Sequence, residues 1–270
     1  MLLWQALLLA SVSSAEPAAA TFVTPLDYFD SGRQHVENYL EQSDLLRETA
    51  NALTQRCARV EVRSTRGEGI YHSILGSGVL LGDGRHLLTA GHVVEGFDHG
   101  EILVHFPSGE SLVATLDDSR YEAFGPDWAI LTLHGTAPLA DGLEIATLPV
   151  GSLAFVLGYP DHIGIDPRGD LVFGESSTRF LQPIVTLGTV SGTDPLTLEP
   201  HVGAVPTEGM SGGPVFDLQG RLAGILVSVA REPGAESLYH YRIVPVGGVP
   251  EATEMTPPLD TATSSHPNTD

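Results

Sequence analysis

Between positions 60 and 246 the chain is a succession of short apolar runs broken by glycine, proline and small polar residues, the pattern of strands and turns. Gly78 to Leu81, a Gly82-Asp83-Gly84 turn and His86 to Ala90 predict a hairpin. Ile102 to Phe106, a Pro107-Ser108-Gly109 turn, Ser111 to Leu116 and Trp128 to Leu133 complete a first half. A second half is predicted from Leu153 to Tyr159, Ile184 to Val190, Leu196 to Glu199, Val215 to Leu218, Gly220 to Val229 and Tyr239 to Val244. Upstream the period lengthens. From Gln34 to Arg56, the residues Val36, Tyr39, Leu46, Ala50, Leu53 and Cys57 fall near one helical stripe, as one helix or as two with Ser43 and Asp44 capping the second.

These patterns predict an all-β fold: two antiparallel six-stranded β-barrels with the active site in the cleft between them, plus an N-terminal helical segment. The expected boundaries are a signal peptide over 1–15, a loop and helix over 16–57, barrels over 58–142 and 143–249, and a disordered tail over 250–270. The leader is read from the apolar run Leu2 to Ala10 and the small residues after it, with cleavage after Ala15 or at the second site offered by Ala18 and Ala20. This predicts a secreted or periplasmic protein. The apolar run is too short to span a bilayer as a helix. The tail is polar and rich in proline and threonine.

Three segments carry the chemistry. Thr89-Ala90-Gly91-His92-Val93-Val94 sets a histidine at the end of an apolar strand, Asp127-Trp128-Ala129-Ile130-Leu131 an acid at the mouth of another, and Gly209-Met210-Ser211-Gly212-Gly213-Pro214 a serine among glycines. A serine hydroxyl needs a general base, and the base needs a group to orient it; His92 and Asp127 supply both. Taken singly, each residue reads as structural: a satisfied histidine, a turn aspartate, a loop serine. The serine motif also fits the Gly-x-Ser-x-Gly elbow of esterases and lipases. There the acid and histidine follow the serine and a helix starts at once, whereas here a β-like run opens after Ser211.

In this order and on these flanks, the segments resemble the signatures of trypsin-like serine peptidases, particularly the disulfide-free bacterial HtrA/Deg kind, from about Val60 to Pro245. The resemblance implies His92 as base, Asp127 as its orienting acid, Ser211 as nucleophile, and the backbone N–H groups of Gly209 and Ser211 as an oxyanion hole. It puts the floor of the specificity pocket at Val205, which favours apolar residues before the scissile bond. The run Val227-Ser228-Val229 becomes a substrate-binding edge, with Val227 or Ser228 at the position that often supports the acid. Met210 stands where digestive-type relatives carry an activation aspartate, so no zymogen cleavage is expected. The tail is too short for a PDZ domain. The long segment Asp161 to Leu181 is either a regulatory loop or a surface hairpin. A noncatalytic peptide-binding module on the same fold is the alternative.

Composition narrows the partners. The 270 residues carry 34 acidic and 13 basic side chains, every basic one an arginine, for a net charge of −21. The acidity argues against a nucleic-acid partner, since phosphate binding needs a basic face, and polypeptide substrates are what the resemblance implies. The single cysteine, Cys57, cannot form an intrachain disulfide and reads as a core residue. No His-Glu-x-x-His motif or tight metal-ligand cluster occurs, and Gly76-Ser77-Gly78 lacks a P-loop lysine and reads as the opening of a strand. No metal or cofactor is expected, and the oligomeric state is left open.

Overall fold

The computed structural model describes residues 44–66, 70–95, 100–122, 125–137, 142–160, 163–165, 171–173, 183–193, 196–200, 208–231 and 239–256. Its contacts separate Met1–Leu45 from Leu46–Asp270, and the barrels belong to the second unit. Strands β1 (Cys57–Arg66), β2 (Ile70–Leu80), β3 (His86–Thr89), β4 (Glu101–His105), β5 (Ser111–Tyr121) and β6 (Asp127–Leu133) close into one barrel in the order β1-β2-β3-β6-β5-β4. β7 (Leu153–Gly158), β10 (Ile184–Thr193), β11 (Leu196–Pro200), β12 (Pro214–Asp217), β13 (Leu222–Arg231) and β14 (Tyr239–Pro245) close a second, in the order β10-β11-β14-β13-β12-β7. All ladders in both barrels are antiparallel, as the strand pattern predicts.

The runs that read as continuously apolar are buried on both faces. In β7, Ala154 and Val156 point into the second barrel's core with Val215, Leu226 and Tyr241, while Phe155 and Leu157 join the core of the first barrel. Phe216, Ile225 and Val227 from β12 and β13 join the same first-barrel cluster. One side of the second barrel is thus sealed against the first by apolar contact, and truncating a leucine in such a core costs about 2–5 kcal/mol.

Three features depart from the sequence reading, and a fourth concerns a segment it left open between a regulatory loop and a hairpin. The first is the start of β1 at Cys57, three residues before the expected change of period, so this residue belongs to the strand and not to the helical stripe. Spacing alone misleads here, because Cys57 also lies four residues after Leu53. The described helical residues, α1, are 44–54, with Leu46, Ala50 and Leu53 packed on the first-barrel core. The second departure is in β5, which continues past Leu116 to Tyr121 through a bulge between Leu116 and Asp118. Its far half is exposed on both faces and therefore shows no alternation.

Third, the segment expected to begin the disordered tail is ordered: after one 3₁₀ turn, Val246–Gly248, residues Pro250–Glu254 form a helix, α3. Val249 and Ala252 are buried with the first-barrel core, and Asp83 N–H in the β2–β3 turn donates to the Met255 carbonyl at 3.1 Å. Buried Val246, Val249 and Ala252, partly buried Met255 and a backbone bond hold this end, over a run too short for a periodicity argument to find. Fourth, the segment from Asp161 to Leu181 contains a two-stranded ribbon of β8 (Ile163–Ile165) and β9 (Leu171–Phe173). Its Pro167-Arg168-Gly169 and Gly174 to Ser177 portions lie outside the described residues, as do the leader, residues 16–43 and the tail from 257.

On the outer face of the first barrel Glu61 is 6% exposed. It accepts from Arg63 Nε at 2.7 Å and pairs with His105 Nε2 at 3.1 Å. Burial pushes the Glu61 carboxyl up, but the bonds from Arg63 and His105 and the charges of Arg63 and Arg59 outweigh it and hold it below its usual range. His105 is also lowered, first by burial and then by the two arginines, against the pull of Glu61. Both groups bind protons less readily folded than unfolded, so their contribution is present at neutral pH and is lost on acidification. For His105 the loss begins as pH falls through about 6.5, the unfolded value. Melting temperature is expected to fall between pH 7.5 and 5.5, and His105→Gln to flatten that dependence; an unchanged slope in the variant contradicts the assignment.

Candidate active site

Register brings the histidine to the acid. Thr89 pairs with Ala129 across β3 and β6, so the chain leaving β3 passes beside Asp127, the first residue of β6. There it turns into α2 (Gly91–Val94), a single helical turn anchored by buried Val93 and Val94. A Cβ on Gly91 would lie 2.7 Å from the Arg120 carbonyl oxygen and 3.2 Å from Asp127 Oδ1, so only glycine permits this approach. His92 N–H donates to Asp127 Oδ1 at 3.0 Å, and His92 Nδ1 lies 2.8 Å from Asp127 Oδ2. One carboxylate thus fixes both the backbone and the ring. With Nδ1–H donating, the neutral imidazole presents Nε2 as an acceptor. Asp127 is 5% exposed, while the His92 side chain is 32% exposed and can meet a ligand. The Tyr121 ring stands 6.1 Å from the His92 ring, tilted by 56°.

The serine comes from the second barrel. Gly209 and Gly212 have φ of +91° and +86°, the left-handed region that favours glycine. A Cβ on Gly212 would sit 2.1 Å from the Ser77 carbonyl oxygen and 2.3 Å from Thr89 Oγ1. Gly212 N–H donates to the Leu226 carbonyl at 2.6 Å and Gly213 N–H to the Met210 carbonyl at 2.9 Å, folding the loop back on β13. Met210, 2% exposed, anchors the loop in the second-barrel core beside Leu226 and Tyr241. An apolar side chain here needs no cation to neutralise it.

Ser211, His92, Val93, Gly209 and Glu208 line one cavity of about 290 Å³ with Ser73, Ile74 and Leu75 of β2. Ser211 and His92 share this cavity without a hydrogen bond between them among the described residues. The Gly209 and Ser211 N–H groups donate to no protein acceptor among the described residues and are available to an anionic oxygen. Glu208 is exposed at the cavity wall.

The other candidates are placed differently. Val227 is 2% exposed in the core, at the bulge between Leu226 and Ser228, and lies away from this cavity. The backbones of Ser228 and Val229 belong to β13 but their side chains, like Val205 altogether, lie outside the described residues. Cys57 is wholly buried, and burial pushes its thiol well above the ordinary cysteine range, the opposite of a reactive thiol. No group of three His, Cys, Asp or Glu side chains among the described residues is placed to hold a metal ion, and no described helix is long and apolar enough to cross a membrane.

Sequence reasoning missed Ser77. It is fully buried in β2, its N–H donates to the Ser211 carbonyl at 2.7 Å, and its hydroxyl donates to the Gly209 carbonyl at 2.8 Å. The only signal was a polar residue between Gly76 and Gly78 in an apolar strand. Those glycines sit in close contact: a Cβ at 76 would meet a Val93 methyl at 2.7 Å and one at 78 a Leu87 methyl at 2.4 Å, so a larger residue would displace these side chains.

No curated protein matches the chain. A model of the trypsin-like peptidase domain does, over residues 76–225. That span, more than half of the chain, runs from β2 into β13 and takes in His92, Asp127 and Ser211, and the chain belongs to the trypsin-like peptidase domain family.

Proposed function

We propose that this trypsin-like peptidase is a serine endopeptidase working through His92, Asp127 and Ser211. His92 Nε2 takes the hydroxyl proton as Ser211 attacks a peptide carbonyl, and returns it to the leaving amine; water then hydrolyses the acyl-enzyme by the same route. Asp127 keeps the imidazole in the acceptor tautomer and stabilises the imidazolium, and the Gly209 and Ser211 amides receive the oxyanion. The observation that carries this reading is a carboxylate-held imidazole opening onto the cavity that Ser211 lines, with two amides that have no acceptor among the described residues beside it.

The finer reading is an exported enzyme of the HtrA/Deg kind, secreted or periplasmic, and competent without zymogen cleavage because Met210 is seated by apolar contact. Valine at the pocket floor position, 205, cannot neutralise a cationic side chain, so the residue before the scissile bond is apolar and small to medium, such as Val, Ala or Leu. The preference is broad, since a methylene discriminates by only about 1–3 kcal/mol. Cleavage-site profiling of a denatured proteome, with Ser211→Ala as control, tests both levels. Apolar residues at that position, in cleavages the control lacks, are expected. Dominant Arg/Lys or Asp/Glu contradicts the pocket, and cleavage that persists in the control contradicts the serine mechanism.

A further inference from the structure

Gly209 and Ser211 line the cavity, and neither N–H has a protein acceptor among the described residues, while the peptides around them are held by partners. The Met210–Ser211 peptide is fixed at its carbonyl by Gly213 N–H at 2.9 Å, and the Ser211–Gly212 peptide by Ser77 N–H at 2.7 Å and by its own N–H on Leu226 at 2.6 Å. Between the two amides stands the Gly209–Met210 peptide, and the hydroxyl of Ser77 is bonded to its carbonyl at 2.8 Å. Gly209, at φ +91°, has no Cβ to restrict its torsions, so the conformation of this peptide is set by its partners. The torsions flanking it, ψ of Gly209 and φ of Met210, set the angle between the neighbouring amides, so releasing its carbonyl lets that angle drift.

The Ser77 hydroxyl is itself oriented. It accepts the Tyr159 N–H at 2.8 Å, which leaves its proton for Gly209, and Thr89 Oγ1 donates to the Ser77 carbonyl at 2.6 Å. All of these atoms are buried, where a lost partner is not replaced by water. One residue of the first barrel therefore reaches Gly209, Ser211 and Tyr159, all outside that barrel's strands.

We propose that Ser77 is a positioning residue for the oxyanion site: its hydroxyl locks the Gly209 carbonyl and so keeps the Gly209 and Ser211 amides aimed together into the cavity. This rests on the serine-peptidase reading above. The hydroxyl touches no substrate and acts through the loop. Because the oxyanion forms only after attack, the hydroxyl acts on turnover and on the formation of tetrahedral adducts, and leaves the initial binding of the substrate unchanged.

The experiment compares full-length wild type with Ser77→Ala, Ser77→Cys and Ser77→Thr. The sites are titrated with a fluorophosphonate, and casein turnover per titrated site, KM and the fluorophosphonate labelling rate constant are measured. Ser77→Ala is expected to lower turnover per site and the labelling rate together by about 10- to 100-fold, below the 10²–10³ typical of losing a donor outright, with KM within twofold. Ser77→Thr, which keeps the hydroxyl, restores both. Ser77→Cys keeps the volume but is a weak donor, and gives the same loss as alanine; it carries the test where the alanine variant does not fold. A merely structural role lowers the number of titratable sites and the melting temperature but leaves turnover per site at the wild-type value, and that result overturns the proposal. Equal activity of cysteine, alanine and wild type also overturns it. Wild type that neither cleaves casein nor takes the label refutes the peptidase reading itself, and the inference falls with it.

Discussion

Ser211→Ala is expected to abolish fluorophosphonate labelling and lower turnover by about 10⁶-fold, because members of a triad act as a unit and removing the nucleophile forfeits the contribution of the others. The fold is expected to survive. The contacts that seat the loop come from the Ser211 backbone carbonyl to Ser77 N–H and from the neighbouring Gly212 and Gly213 amides, and alanine preserves all of them. The stability change is accordingly within about 0.5 kcal/mol, as for other substitutions away from packing and hydrogen bonds. Thermal melts establish that the variant is folded, and casein hydrolysis gives the rate. A folded variant that cleaves casein at the wild-type rate removes Ser211 from the mechanism.

Asp127→Asn is the second large effect, a fall in kcat of about 10⁴-fold with KM little changed. The carboxylate makes two bonds to one residue, and the amide reproduces only one of them. The Asn carbonyl oxygen can still accept the His92 N–H that Asp127 Oδ1 accepts at 3.0 Å, so the path of α2 is retained. Facing Nδ1, where the carboxylate now lies 2.8 Å away, the amide offers NH₂. Nδ1 then accepts, Nε2 carries the proton, and the ring can no longer take one from Ser211. The loss is one of tautomer and of charge, not of position. Steady-state kinetics decide it: kcat within tenfold of wild type means that Asp127 does not orient the base.

The architecture was legible because strands buried on both faces, such as Leu153 to Tyr159, are written as unbroken apolar runs, and because Gly82-Asp83-Gly84 punctuates the hairpin that leads to His92. Candidate chemistry was legible because a histidine after a strand, an aspartate before one and a serine between glycines fell in one chain order. What escaped was set by tertiary contact. Cys57 fitted a helical spacing and is a strand residue, and the outer half of β5 buries neither face and so carries no period. The helix at Pro250–Glu254 is held by Val249, Ala252 and Met255 on the first-barrel core and by a backbone bond to the β2–β3 turn. Ser77 left one anomaly, a hydroxyl in an apolar strand, and its partners Gly209, Ser211 and Tyr159 are more than eighty positions away in the chain.

The nucleophile is tested most directly by reacting the native protein with a fluorophosphonate and locating the adduct by peptide mass spectrometry. A single adduct on Ser211 is predicted, with labelling suppressed in His92→Ala, since the hydroxyl then lacks its base. An adduct on any other residue, or none on folded protein, contradicts the assignment of Ser211 as the nucleophile.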